Sequence, residues 1–215
     1  CSSDLMRTKT LFVAAALGAV GTATAMAQVY SVNAVGYVNT EMVPGFTLVS
    51  NPLDAGDGMN TVGNVLAGAP AGTVAYKFDA ATGAYDINQN LGVWTKPDMS
   101  FAPGEGLFVL NAGAAAFTVT FVGEVMQGEL TVPIAQGFSI VSSMVPQAGG
   151  LSSVLGYPAA AGDAAYQFNP ATQAYASSSF LGAWVPAEPE LAVGEAVFIN
   201  SSDAKDWTRT FSVNQ

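Results

Sequence analysis

The chain contains one strand-like stretch twice: residues 45–53 read GFTLVSNPL and residues 137–145 read GFSIVSSMV. In both copies a glycine precedes a run of apolar and β-branched residues, a composition that favours a buried β-strand. When residues 72–121 are placed over residues 162–211, 19 of the 50 pairs are identical. Such agreement at one fixed shift indicates an internal repeat, and a repeat determines how the fold is interpreted.

The repeated unit consists mostly of predicted strands. Residues 74–78 (VAYKF) alternate large apolar residues with small or polar ones, which is typical of a half-buried strand with its aromatic side inward. Residues 107–110 (LFVL) and 196–199 (AVFI) are apolar on both faces, which predicts central strands. The fold class predicted is all-β, with tandem duplicated small β-sandwich or barrel units and at most one short helix in each.

Two local features refine this prediction. Residues 60–66 (NTVGNVL) predict the short helix of the first unit, with Asn60 as its N-cap. Gly83 ends the turn after the first aromatic strand, in a position suited to a left-handed backbone. The second unit has Gln173 there, so its turn must be strained or differently shaped.

The amino-terminal region has the pattern of a secretory signal peptide. Arg7 and Lys9 precede the apolar residues 11–20, and Ala25-Met26-Ala27 forms an A-x-A cleavage site. A membrane anchor fits less well, because a helical span needs about 20 apolar residues. The predicted organisation is a leader or fragment edge (1–5), a helical signal peptide (6–27), repeat unit 1 (28–127) and repeat unit 2 packed on it (128–215).

The composition of residues 28–215 excludes several functions. They contain 4 basic and 15 acidic residues, a net charge of −11, which repels phosphate backbones and anionic lipid. We therefore expect no nucleic-acid partner and no membrane contact after signal cleavage. They also contain no His and no Cys, which removes the usual base of a serine nucleophile and the soft metal ligands. No cofactor is expected.

The motifs are similar to those of a known group of proteins. The series G-F-x-L-V-S-x-P, V-x-Y-x-F-D and A-P-G-E-G-L-F-V resembles a repeat of exported bacterial proteins that usually runs from G-W-x-L-I-S-x-P to P-G-x-G-Y-W-V. The opening SVNAVGYVN resembles the start of uncharacterised exported Gram-negative proteins. The resemblance covers residues 28–215 and implies export and this β module, but no activity. Unit 2 departs from the pattern at residues 143–144 and 193–196, so unit 1 is the better candidate for a binding role.

Two acidic positions recur in both units. Glu105 matches Glu195, and Asp98 corresponds to Glu188. Glu105 lies in a Pro-Gly-Glu-Gly turn, where a carboxylate commonly accepts hydrogen bonds from backbone N–H groups. Ligand contact is an alternative role, and a carboxylate pair would also support glycoside hydrolysis.

A Gly-rich loop after the first repeated strand carries Asp54, Asp57 and Asn60. Carboxylate and amide oxygens are ligands that Ca²⁺ takes, so the loop is a candidate calcium site. The spacing is not that of an EF-hand, and residues 146–150 of unit 2 contain no acid. A solvated loop is the simpler interpretation.

Trp94 and Trp184 occupy matching positions after a Leu-Gly pair. Exposed rings would be stacking platforms for sugars, and two of them would add avidity. Core packing is the alternative role for both rings. A duplication would retain the two tryptophans in either role, so their repetition does not decide between them.

The sequence thus predicts an exported, non-catalytic structural or adhesive module of the periplasm, cell surface or extracellular space. Its partners would be surface polysaccharide or other envelope proteins. The alternative is a carbohydrate-binding protein that uses Trp94 and Trp184, and a carboxylate-dependent glycoside hydrolase is the remote one.

Overall fold

The computed structural model describes residues 34–214, and the predicted leader and signal peptide lie outside them. In unit 1 the elements are β1 (Val35–Met42), β2 (Gly45–Ser50), α1 (Val62–Val65), β3 (Val74–Asp79), β4 (Ala84–Gln89), β5 (Gly106–Asn111) and β6 (Phe117–Glu124). In unit 2 they are β7 (Gly128–Ile134), β8 (Gly137–Val141), β9 (Gly149–Gly150), β10 (Ala164–Asn169), β11 (Ala174–Phe180), β12 (Trp184–Val185), β13 (Glu190–Leu191), β14 (Val197–Ser201) and β15 (Lys205–Phe211). The all-β prediction is confirmed.

Each unit combines an open antiparallel sheet with a two-stranded ribbon. Unit 1 has a sheet of order β2-β5-β3-β4 and the ribbon β1-β6. Unit 2 has a sheet of order β12-β11-β10-β14-β8, the ribbon β7-β15 and the small pair β13-β9. The strands predicted to be central, β5 and β14, lie inside their sheets as expected.

Apolar side chains hold each ribbon against its sheet. In unit 1, Met42 and Phe121 from the ribbon share a core with Val49 and Leu107 from the sheet, all almost fully buried. In unit 2, Val132 and Trp207 from the ribbon pack in the same way against Ile199 of the sheet. Among the described residues, no helix is long and apolar enough to cross a bilayer.

The short helix of unit 1 forms as predicted, but with another N-cap. α1 begins after Thr61, whose extended backbone starts the helix without a side-chain cap bond. The side chain of Asn60 is used elsewhere, since its oxygen accepts the N–H of Ala55 at 3.0 Å.

The two units contact each other through a pair of reciprocal main-chain bonds. The N–H of Ser50 donates to the carbonyl of Gly194 at 2.9 Å, and the N–H of Ser142 donates to the carbonyl of Gly104 at 3.0 Å. Ser50 corresponds to Ser142, and Gly104 to Gly194. The two units are therefore related across the contact like the subunits of an isologous dimer.

Gly106 lies at a close approach between the two units. A Cβ atom added there would lie 2.5 Å from the Cβ of Ala196, its counterpart in unit 2, and 2.5 Å from Ile140. Gly104 has a φ of +92°, and an added Cβ would lie 2.8 Å from Val132. The Pro-Gly-Glu-Gly motif therefore needs both glycines because unit 2 lies against them.

The strand pattern predicted that the aromatic side chains of β3 point into the core of their own unit. The structure shows that they point away from it. Ala75 faces that core and is fully buried, whereas Tyr76 and Phe78 face unit 2. The same holds in β10, where Ala165 is fully buried in its own core and Phe168 joins the cluster between the units. This third cluster also contains Leu48, Phe108, Ile140, Ala196 and Phe198.

We predict that Gly106→Ala destabilises the protein by about 1–3 kcal/mol, because the added methyl overpacks the contact between the units. Gly68→Ala is the matched control, since nothing lies within 4 Å of a Cβ added there and its cost should stay within about 0.5 kcal/mol. Urea denaturation of the two variants measures both costs. Equal stability of the two variants would contradict the close contact at Gly106.

Candidate functional site

Both tryptophans proposed as sugar platforms are buried. Trp94 is 7% exposed and Trp184 is 9% exposed. Each indole N–H bonds inside its own unit, to the carbonyl of Leu66 at 3.2 Å and to the hydroxyl of Ser152 at 3.0 Å. Because a stacking platform needs an open ring face, this burial favours the core-packing interpretation of both residues.

Glu105 caps its own turn, as the motif predicted. One carboxylate oxygen accepts the N–H of Ala102 at 2.8 Å and the hydroxyl of Ser100 at 2.7 Å, and the other lies 2.7 Å from the ammonium of Lys77. Burial alone would raise the pKa of Glu105, but these bonds and the charge of Lys77 outweigh burial and hold the pKa below its ordinary value. The Glu105 carboxylate is thus ionised and engaged on both oxygens.

Glu195 occupies the matching turn, but no lysine or arginine of the described residues forms an ion pair with it. It accepts the N–H of Ala192 and the carboxamide of Gln167, each at 2.8 Å. Burial raises the pKa of Glu195, and these neutral donors offset the effect only in part. Glu188, the other matched acid of unit 2, accepts the N–H groups of Ser152 and Ser153. These glutamates hold the backbone, so their geometry gives no support to a hydrolytic carboxylate pair.

The side chains of Asp54 and Asn60 in the proposed calcium loop form hydrogen bonds with other groups of the protein. Asp54 accepts the N–H of Gly56 at 2.9 Å and the carboxamide of Asn60 at 2.6 Å. The oxygen of Asn60 also accepts the carboxamide of Asn51 at 3.1 Å. Asp57 is exposed, and the described residues contain no group of three acidic, His or Cys side chains suited to a metal. These contacts favour the interpretation as a solvated loop.

An aromatic cleft of about 300 Å³ opens where the two sheets meet. Its lining residues are Phe46, Tyr76, Tyr85 and Phe108 of unit 1 and Phe168 and Tyr175 of unit 2. The rings meet edge to face: the centroids of Phe108 and Phe168 are 5.2 Å apart at 87°, and those of Phe46 and Tyr76 are 5.7 Å apart at 61°. Tyr85 and Tyr175 are 41% and 49% exposed, so the cleft is open to solvent at these tyrosines.

The cleft continues onto the part of the unit 1 sheet that unit 2 leaves uncovered. Strand register places Phe46, Val74, Tyr76, Ile87, Gln89 and Leu110 beside the cleft on this side of the sheet. We call the five apolar residues of this set, Phe46, Val74, Tyr76, Ile87 and Leu110, the outer face, and Gln89 borders it. Cross-strand partners such as Tyr76 and Ile87 share one face of a sheet. Ile87 is 45% exposed. The outer face is therefore apolar surface in contact with water.

Unit 2 provides an internal reference for this surface. In the same register, Ile87 is replaced by Ser177, Leu110 by Asn200 and Val74 by Ala164. Strands β8, β14, β10 and β11 have the same order and register as β2, β5, β3 and β4, so this sheet forms in unit 2 without the apolar residues Ile87 and Leu110. They distinguish unit 1 as the candidate contact surface.

Sequence reasoning missed the outer face because it concentrated on identical residues. Positions 74, 87 and 110 differ between the units, and these differences mark the outer face. They can be recognised as a group only after the strand register shows that the three positions share one face of the sheet.

Comparison of the chain with family models, curated proteins and solved structures finds no match.

A reciprocal exchange tests the electrostatics of the two turns. Lys77→Gln removes the cation beside Glu105, and Gln167→Lys supplies one beside Glu195. At neutral pH, we predict that Lys77→Gln loses roughly 0.5 kcal/mol after solvent screening and that Gln167→Lys gains a similar amount.

The expected pH dependence follows from the direction of each pKa. The lowered pKa of Glu105 stabilises the fold above the ordinary value of 4.5, and this contribution is lost as pH falls through the folded pKa. The raised pKa of Glu195 means that its ionisation costs stability as pH rises past that ordinary value. Both variants should therefore approach the wild type at acidic pH, as urea denaturation across pH will measure. Changes of the same sign at neutral pH would contradict this assignment.

Proposed function

We propose that this protein is an exported, non-catalytic structural or adhesive module that binds another envelope protein through the outer face and the aromatic cleft. The observation that carries the proposal is the difference between the two sheets at matched register, where unit 1 has Ile87 and Leu110 and unit 2 has Ser177 and Asn200. The signal-peptide pattern of residues 6–27 supports the export part of the proposal.

The exposed apolar area supports a contact function. Soluble proteins rarely keep contiguous apolar surface in water unless a partner covers it. Unit 2 keeps the aromatic residues Phe138 and Tyr166 at the positions of Phe46 and Tyr76 but has Ser177 and Asn200 in place of Ile87 and Leu110, and these polar residues are compatible with the fold. Unit 1 therefore retains Ile87 and Leu110 at a cost in solubility that binding would explain.

The chemistry of the surface favours a protein partner over a sugar. The described residues that line the cleft include no charged side chain, and their polar side-chain groups are the hydroxyls of Tyr76, Tyr85 and Tyr175. A sugar brings many hydroxyl groups that lose their water on binding and need polar partners. The rings also pack against one another edge to face, so they do not form a coplanar platform.

Continuity with the contact between the units indicates how a partner would bind. Phe108 and Phe168 belong both to the buried cluster between the units and to the lining of the cleft. An apolar side chain of a partner entering the cleft would extend this cluster. Aromatic anchors that fill such pockets dominate the energetics of many protein interfaces.

The proposal predicts that the double variant Ile87→Ser, Leu110→Asn loses its attachment to the cell. In the native host the wild type should be recovered with the cell envelope, and its mature amino terminus should lie at or near Gln28. The double variant should be exported equally but released into the medium, because its outer face has become as polar as that of unit 2. Fractionation, immunoblotting and mass spectrometry measure the distribution and the terminus.

Leu181→Ser is the matched control, since it removes an apolar side chain that is 73% exposed on a turn of unit 2. It should remain with the envelope. Equal retention of the double variant would contradict the outer face as the contact surface. Release of the wild type by soluble envelope polysaccharide would favour the carbohydrate-binding alternative.

A further inference from the structure

The outer edge of β2 is closed by a side chain from the other unit. The N–H of Phe46 donates to the carboxamide oxygen of Gln173 at 2.8 Å, and the carboxamide nitrogen donates to the carbonyl of Phe46 at 2.9 Å. A carboxamide presents the same donor and acceptor as a peptide unit, so Gln173 bonds to this edge as a neighbouring strand would. It does so from a left-handed backbone with a φ of +53°.

The equivalent edge in unit 2 lacks this closure. Phe138 of β8 pairs with Asn200 in the register in which Phe46 pairs with Leu110, so its N–H and carbonyl also point away from the sheet. Gly83 stands in place of Gln173. Among the described residues, no side chain bonds to the main chain of Phe138.

There is room beside this edge. A Cβ atom added to Gly45, at the closed edge, would lie 2.7 Å from the carboxamide oxygen of Gln173. One added to Gly137, its counterpart, or to Gly83 meets nothing within 4 Å. Farther along β8 the edge is closed by Gly104, which accepts the N–H of Ser142. The opening therefore continues the contact between the units and is limited to the start of β8.

We propose that the Phe138 edge of β8 is a self-association site, at which it pairs antiparallel with the Phe138 edge of a second copy. One outward N–H and one outward carbonyl on the same residue are self-complementary about a twofold axis. Each Phe138 donates to the carbonyl of the other, and both groups are satisfied by one symmetric pair. The pairing joins the two unit 2 sheets edge to edge.

The surroundings of the edge favour this occupant. Exposed strand edges are usually protected by charged residues, yet residues 136–145 (QGFSIVSSMV) contain none, so two copies meet without charge repulsion at the edge itself. The Phe138 side chain is 44% exposed and packs on the ring of Phe198 at 5.4 Å. A second Phe138 across the axis would cover it.

Crosslinking of an introduced cysteine tests the site directly. In a Cys1→Ser background the introduced thiol is the only one. Phe138→Cys would place two thiols across the axis on residues with Cα atoms about 5.5 Å apart, within reach of a short bismaleimide. Phe46→Cys is the matched control, because Phe46 is similarly exposed (36%) but lies on the closed edge. The Phe138→Cys protein should give covalent dimer several-fold faster, and equal rates would overturn the proposal.

A second pair of variants distinguishes edge pairing from accidental collision. Gly83→Gln supplies the carboxamide that closes the edge in the other unit, whereas Gly83→Ala places a side chain on the same backbone without it. In Gly83→Gln the Phe138→Cys crosslinking rate should fall to the Phe46→Cys level, and the sedimentation coefficient should no longer rise with concentration. Gly83→Ala should behave as the wild type. Crosslinking that persists in Gly83→Gln, or a wild type that stays monomeric at all concentrations, would overturn the proposal.

Discussion

The contact between Gly106 and Ala196 is the constraint on which the rest of the structure depends. Side chains no larger than a methyl group let the two sheets approach until Gly104 and Gly194 reach the main chain of the opposite unit. That approach brings Phe108 against Phe168 and Phe78 against Phe198, the latter at 4.9 Å. A larger residue at position 106 would separate the sheets and widen the aromatic cluster between them.

This contact also explains why one set of aromatic residues, Tyr76, Phe78, Phe108, Phe168 and Phe198, lies outside the core of its own unit. A unit of roughly ninety residues buries a smaller share of its surface than a chain of twice that length. Each unit fills its own interior mainly with Leu, Val and Ala, together with Phe101 and Phe121 in unit 1 and Tyr157 and two tryptophans in unit 2. Each uses the aromatic side of its sheet against the other copy. Where the second unit ends, the same side of the unit 1 sheet continues into water as the outer face. The proposed binding surface is thus the uncovered extension of an internal interface.

The sequence predicted the positions of the strands better than the packing of the strands against one another. Period-two alternation correctly identified residues 74–78 as a strand, because alternation depends only on backbone geometry. It could not tell whether Tyr76 or Ala75 faced the unit's own core, since the ribbon covers one side of this sheet and unit 2 covers part of the other. The Glu105 turn was predictable because its partners lie nearby along the chain, apart from Lys77.

Contacts between distant residues could not be predicted in this way. Gln173 looked like a mild defect in a turn, whereas its carboxamide closes a strand edge 127 positions away. The requirement for Gly106 arises from Ala196 and Ile140, which only the packing of the units brings together. The outer face likewise needed the strand register before Ile87 and Leu110 could be recognised as neighbours of the aromatic cleft.

The most direct test of the shared contact is differential scanning calorimetry of the chain, comparing van't Hoff and calorimetric enthalpies of unfolding. If the aromatic cluster couples the units, the described region unfolds as one cooperative body and the two enthalpies agree. If the units are independent, the calorimetric enthalpy will be about twice the van't Hoff value, or two transitions will be resolved. Either of these results would contradict the account.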